Sequence, residues 1–128
     1  MTKILIVDDD EQVTALLEKL LSLEGFEPTA VTDSSEAMRV AERVNPDFFI
    51  LDLFMPQPNG FELTRSLRTH QMFSKTPILI ITASDDSDSK AIAYVAGAND
   101  YITKPFNPDE LPGRIKALLD KVDKADRD

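Results

Sequence analysis

Cysteine is absent from this 128-residue chain, histidine occurs once and glycine four times. Without cysteine there is no disulfide scaffold, no thiolate zinc site and no cysteine nucleophile. The glycines, at 25, 60, 97 and 113, form no phosphate-cradling motif, so a P-loop or dinucleotide fold finds no support. No apolar run approaches the roughly 20 residues of a membrane span. The opening Met-Thr-Lys-Ile-Leu-Ile-Val enters a strand-like segment without a signal-peptide plan. Positive charge is also short: 14 Lys and Arg face 23 Asp and Glu, leaving −9. That balance counts against nucleic acid or an anionic membrane as a direct partner. These absences leave a small, acidic domain, expected in the cytoplasm.

What is present suffices for one core. A hydrophobic content of 42% is ordinary for a folded domain, and a chain of this length buries roughly two-thirds of its unfolded surface. Short β-branched runs alternate with longer amphipathic stretches. Ile4–Val7, Phe26–Val31, Phe48–Leu51, Pro77–Ile81 and Asp100–Thr103 read as strands. Between them lie helical spacings: Val13, Leu16, Leu17, Leu20 and Leu21, closed by Gly25; Ala37, Ala41 and Val44, opened by an Asp33/Glu36 capping box and closed by Asn45-Pro46; Phe61, Leu63 and Leu67; Ala91, Tyr94, Val95 and Ala98. Asn107-Pro108 opens a last helix carrying Leu111, Ile115, Leu118 and Leu119. Such alternation implies right-handed crossovers and a parallel sheet covered on both faces. Sites on such sheets lie beyond the carboxyl ends of the strands.

Those ends are chemically distinctive. The first strand runs into Asp8-Asp9-Asp10, the third into Asp52, the fourth into Thr82-Ala83 and the fifth into Lys104-Pro105. An aspartate after a strand often only caps the next helix. Several coinciding at one edge argue for more, because clustered carboxylates are costly without a cation among them. Oxygen ligands without His or Cys favour a hard ion, Mg2+ or else Mn2+. A lysine and a hydroxyl beside it suit a phosphoryl group.

Together the runs Ile-Val-Asp8-Asp9-Asp10-Glu, Leu-Asp52-Leu-Phe-Met-Pro56 with Gly60, Ile-Thr82-Ala83, Ala-Gly97-Ala-Asn-Asp-Tyr101 and Lys104-Pro105-Phe106 resemble the receiver domain of two-component response regulators, the CheY-like superfamily. The resemblance covers residues 3 to about 120, in order. It implies a flavodoxin-like (βα)5 three-layer α/β sandwich with strand order 2-1-3-4-5. Residues 1–122 would form the receiver domain and residues 123–128 a charged, frayed tail.

The same resemblance implies site roles. Asp52 would be the phosphoacceptor, taking its phosphoryl group from a sensor histidine kinase or a histidine phosphotransfer protein. Asp8, Asp9, Asp52 and the backbone carbonyl of Phe54 would hold the metal. Lys104 would pair with the acceptor carboxylate and then with the phosphoryl group, and its peptide with Pro105 would be cis. Thr82 and Tyr101 would form the switch, while Phe54 and Ser84 would tune water's access to the acyl phosphate. Output would leave through the face of the fourth helix, fifth strand and fifth helix, towards an output domain, a downstream protein or a phosphorylation-dependent homodimer. The chain would be no enzyme beyond assisting its own phosphorylation and dephosphorylation.

Two other classes compete. A receiver-like module that works without phosphorylation is opposed by a complete set of chemical groups. A haloacid-dehalogenase-type phosphatase wants a second Asp two residues after the nucleophile, where this chain has Phe54. His70 is expected to be exposed and inert, and Asp85, Asp86 and Asp88 to favour a helix N-terminus. Asn59 stands where the family often has Asp, without consequence for the chemistry. Pro112-Gly113 is expected to make the first turn of the last helix irregular, and thereby to alter output contacts.

Overall fold

The computed structural model describes residues 1–127, and side chains through residue 122. Five parallel strands, β1 (Lys3–Val7), β2 (Glu27–Val31), β3 (Phe48–Leu51), β4 (Ile78–Thr82) and β5 (Asp100–Thr103), form one sheet in the order β2-β1-β3-β4-β5. The connections are α1 (Glu11–Leu23), α2 (Ala37–Val44), α3 (Gly60–Thr69) and α4 (Ser87–Ala96), and α5 (Leu111–Arg127) closes the chain. This is the three-layer flavodoxin-like sandwich expected from the strand-helix alternation.

Alternating residues of each buried strand feed two cores. Leu5, Val7, Phe49, Leu51, Ile78 and Ile80 pack under Ala37, Val40 and Ala41 of α2, Leu63 and Leu67 of α3, and Ala93 of α4. Ile4, Ile6, Phe48, Ile50, Leu79 and Ile81 face the other way, onto Leu17 and Leu21 of α1 and Leu111, Ile115 and Leu118 of α5. A strand with both faces buried must be apolar throughout, which is why these runs do not alternate. Leu16, expected on the inner face of α1, is 48% exposed instead. Among the described residues no helix is long and apolar enough to cross a membrane.

Several local expectations shift. Asp33 caps a single 3₁₀ turn, Ser34–Glu36, by accepting from Ser35 N, but no capping box forms with Glu36. The Ser34 hydroxyl donates to Pro56 O at 2.8 Å, and Glu36 turns outward to pair with Arg39. The capping box of this fold is at Asn59, whose side chain accepts from Glu62 N while Glu62 accepts from Asn59 N. Gly97, at φ 122, ends α4 before Ala98. The last helix begins with a 3₁₀ turn, Pro108–Glu110, and then runs regularly from Leu111. Pro112 falls in the first turn of α5, where a missing backbone donor costs nothing. The irregularity expected of Pro112-Gly113 therefore lies ahead of them. Asp128 and the side chains of residues 123–128 lie outside the described residues, and with them the expectation for the charged tail.

Candidate functional site

Ladder hydrogen bonds carry the sheet one residue past its strands. Asp8 N donates to Val31 O, Asp52 N to Val7 O at 3.0 Å, and Lys104 N to Thr82 O at 2.7 Å. Asp8, Asp52 and Lys104 are thereby set at one carboxyl edge on anchored backbone. One carboxylate oxygen from each of Asp8, Asp9 and Asp52 lies within 4.8 Å of the others. Asp8 and Asp52 are buried and Asp9 is exposed. Asp10 belongs to a different task, capping α1 by accepting from Gln12 N and Val13 N.

Lys104 answers this charge. Its Nζ donates to Asp8 Oδ2 at 2.8 Å and stands 3.6 Å from Asp52 Oδ2. The lysine was expected on the acceptor carboxylate; here it sits closer to Asp8, between the two acids. Burial raises the Asp8 carboxyl above its ordinary value, with the Asp52 charge adding, although Lys104 and the Asp10 N–H pull the other way. Burial alone would lower the Lys104 ammonium, but contacts with Asp8 and Asp52 outweigh it and hold it above the usual lysine value. The edge holds more negative charge than one lysine neutralises.

Around this cluster, Phe54 N points at Asp52 Oδ1 from 3.5 Å, while the Phe54 ring is 54% exposed and packs edge-on against Phe61 at 6.3 Å. Thr82 closes β4, fully buried, and its Oγ1 has no hydrogen-bond partner. The Tyr101 ring is buried, and its hydroxyl donates to Ser84 O at 2.7 Å. The Ser84 hydroxyl accepts from Asp86 N, and Asp86 caps α4. The Lys104-Pro105 peptide is cis, as is Gln57-Pro58.

His70 is not the exposed loop residue expected. It ends α3, is three-quarters covered, stacks near Phe73 at 4.8 Å, and accepts from Met72 N through Nδ1. Two residues matter more: Gly60, which the sequence offered only as a motif letter, and Arg68, which it passed over. Gly60 lies so close to the site backbone that a Cβ there would come within 2.2 Å of Asp52 O. Arg68 donates to Gly97 O, Phe73 O, Thr76 O and Asn99 Oδ1, tying α3 to the loops at the opposite edge of the sheet. Asn99 stood in the Gly97–Tyr101 run as a motif letter; Arg68 left no signal, since an arginine on a helix reads as solvated.

The donor set is all oxygen, its charge is under-compensated, and a hydroxyl stands buried without a partner. Those are the features a hard divalent ion and a phosphoryl group would satisfy. Comparison with known proteins agrees. The family model described as "Response regulator receiver domain" matches residues 4–116. The alkaline phosphatase synthesis transcriptional regulatory protein PhoP of Bacillus subtilis is 39% identical over 117 residues, 91% of this chain and 48% of that protein. Protein PetR of Rhodobacter capsulatus is 43% identical over 122 residues, 95% of this chain and 50% of its own. The chain thus spans about half the length of the curated relatives it matches. Among solved structures, a CheY-like receiver domain protein of Methanospirillum hungatei superposes with a TM-score of 0.89 at 28% identity, covering 98% of both chains. With fold, acidic edge and family match in agreement, this chain belongs to the response regulator receiver domains of two-component signalling.

Proposed function

We propose that the chain is a phosphorylation-activated switch, with Asp52 accepting a phosphoryl group from a phosphohistidine on a sensor histidine kinase or histidine phosphotransfer protein. The observation that carries this reading is the cluster of Asp8, Asp9 and Asp52 within 4.8 Å, with Lys104 bonded to Asp8 and close to Asp52. An Asp52 carboxylate oxygen attacks phosphorus, the P–N bond breaks, and its electron pair leaves with the imidazole nitrogen. The product is an acyl phosphate on Asp52.

Asp8, Asp9, Asp52 and the Phe54 carbonyl would hold Mg2+, with Mn2+ as a substitute. When bound, such an ion neutralises charge on acceptor and phosphoryl oxygens. Lys104 needs only a small movement of a flexible stem to follow charge from Asp8 towards the phosphoryl oxygens. The Thr82 hydroxyl, unpartnered before the reaction, gains an acceptor only afterwards, which is the differential contact a population shift requires. Tyr101 lies inward with its hydroxyl on Ser84 O, the placement that a Thr82 drawn towards the phosphoryl group would favour. The altered face is α4-β5-α5, offered to an output domain, a downstream protein or a second copy of the chain. A cytoplasmic setting, without nucleic acid or membrane as direct partner, fits the acidic surface.

Phe54 has no group to orient water, and the Ser84 hydroxyl is already engaged by Asp86 N. The acyl phosphate should therefore hydrolyse slowly by itself. Incubation with Mg2+ and acetyl phosphate, followed by mass measurement, tests the whole reading. Wild type should gain one phosphoryl group and Asp52→Ala none. No gain in wild type favours a phosphorylation-independent interaction module, and sustained turnover favours a phosphatase.

A further inference from the structure

Tyr101 is held inward at one end by its hydroxyl on Ser84 O. Burial first, then the charges of Asp86, Asp52 and Asp85, raise this phenol above its ordinary value. In these negative surroundings a cation reaches the ring itself. Lys90, in the first turns of α4, places Nζ 5.6 Å from the ring centroid, within the roughly 6 Å reach of a cation–π contact. Asp85, Asp86 and Asp88 are its sequence neighbours, yet Lys90 forms no ion pair with any described residue. The partner found for its ammonium is the aromatic face.

We infer that Lys90 is a positioning residue for Tyr101, its ammonium holding the ring inward between α4 and β5. The inference rests on the reading of Tyr101 as a switch residue. Lys90 is ion-paired to none of Asp8, Asp9 and Asp52, so within the chain its contact is with the tyrosine and not with the acidic edge. Two contacts of different kind then fix the ring: a hydrogen bond to Ser84 O and an attraction between charge and ring quadrupole. The second depends on a single exposed ammonium, so anything that neutralises it loosens the ring. For a contact of this exposure the inward-to-outward ratio should change about two- to fivefold.

The bland alternative is that the lysine stem merely covers the ring by apolar contact. Lys90→Met keeps the stem and removes the charge, whereas Lys90→Arg keeps the charge. The chain has two tyrosines and no tryptophan, so in a Tyr94→Phe background Tyr101 is the only tyrosine. Incorporated 3-fluorotyrosine then reports Tyr101 by 19F NMR, and acrylamide quenching of tyrosine emission reports its exposure. Lys90→Met should move the 19F signal towards the exposed position and increase quenching; Lys90→Arg should restore both. Superimposable spectra for Lys90→Met and its parent overturn the inference, as does an arginine variant that behaves like methionine. A lowered melting midpoint in Lys90→Met without a ring shift assigns the lysine a merely structural part and also overturns it. Phosphoryl uptake from acetyl phosphate with Mg2+ is read on the same samples. Failure of uptake in every sample, parent included, refutes the Asp52 reading, while the ring measurement still decides the part of Lys90.

Discussion

Replacing Gly60 by alanine adds one methyl group at the point where α3 presses on the Asp52–Leu53 backbone that follows β3. That Cβ would stand 2.2 Å from Asp52 O, 2.6 Å from Leu53 Cα and 2.9 Å from Asp52 C, all main-chain atoms that no rotamer change can withdraw. Real Cβ contacts stay beyond 3.0 Å, so a gap of about 0.8 Å has to open, by lifting α3 or by pushing back the Asp52–Leu53 backbone. Neither is free to yield. Gly60 N donates to Leu53 O at 2.9 Å, Asp52 N is bonded to Val7 O, and the Asn59–Glu62 capping box fixes the start of α3. Overpacking against backbone costs about 3 kcal/mol, and alanine's better helix propensity returns at most about 1. A net loss near 2 kcal/mol lowers the melting midpoint by about 6–10 °C. If Asp52 is the acceptor as proposed, its displacement by most of an ångström should slow phosphoryl uptake about ten- to a hundredfold. The matched control is Gly113→Ala, where a Cβ meets nothing within 4 Å on an exposed helical turn; it should gain about 0.5–1 kcal/mol. Thermal melts and rates of mass gain with acetyl phosphate decide the matter. An unchanged midpoint and rate for Gly60→Ala would show that the contact is relieved cheaply and refute the reasoning. A lowered midpoint with an unchanged rate would sink the positional half alone.

Other outcomes can be checked with the same assays. Thr82→Val removes a buried, unpartnered hydroxyl and should stabilise the unmodified protein by about 1 kcal/mol, while phosphoryl uptake no longer alters partner binding; a destabilised variant would mean that the hydroxyl has a partner. Arg68→Met strips donors from Gly97 O, Phe73 O, Thr76 O and Asn99 Oδ1, and should cost about 2–4 kcal/mol in urea titrations yet leave the uptake rate intact, as the cluster lies at the far edge of the sheet. The Asp8 carboxyl is held above its ordinary value, so folding favours its neutral form: this group supports stability as pH falls towards its folded value and opposes it above. Asp8→Asn should therefore stabilise the metal-free protein at neutral pH. In wild type, Mg2+ at ten times its dissociation constant should add about 1.4 kcal/mol, an increment that Asp8→Asn loses in calorimetry.

The sheet was readable because its strands are short apolar runs closed by Asp, Thr or Lys, and because buried parallel strands need no alternation. Element ends were less so: Thr82 belongs to β4 rather than to the loop after it, since Lys104 N bonds to its carbonyl. The acidic edge was readable too, as each member stands directly after a strand. What escaped was whatever depends on three-dimensional choice. Asp33-x-x-Glu36 and Asn59-x-x-Glu62 look alike in one dimension, but Ser34 is drawn to Pro56 O and closes the first as a 3₁₀ turn. Lys104 reaches two carboxylates, and only packing makes the bond to Asp8 the short one. Arg68 satisfies three carbonyls from two loops, a pattern with no sequence spacing at all.

The bond between Lys104 and Asp8 joins residues 96 apart in the chain. Contacts of that separation form late, after the loop-closure entropy of the intervening elements has been met. A ribosome adding roughly 5–20 residues per second takes about 5–20 s to pass from one to the other. During that interval the nascent chain displays its acids but not the cation that orders them. A copy cut short before β5 therefore keeps the carboxylates of the edge without their cation, and the edge is complete only when the last strand has joined the sheet.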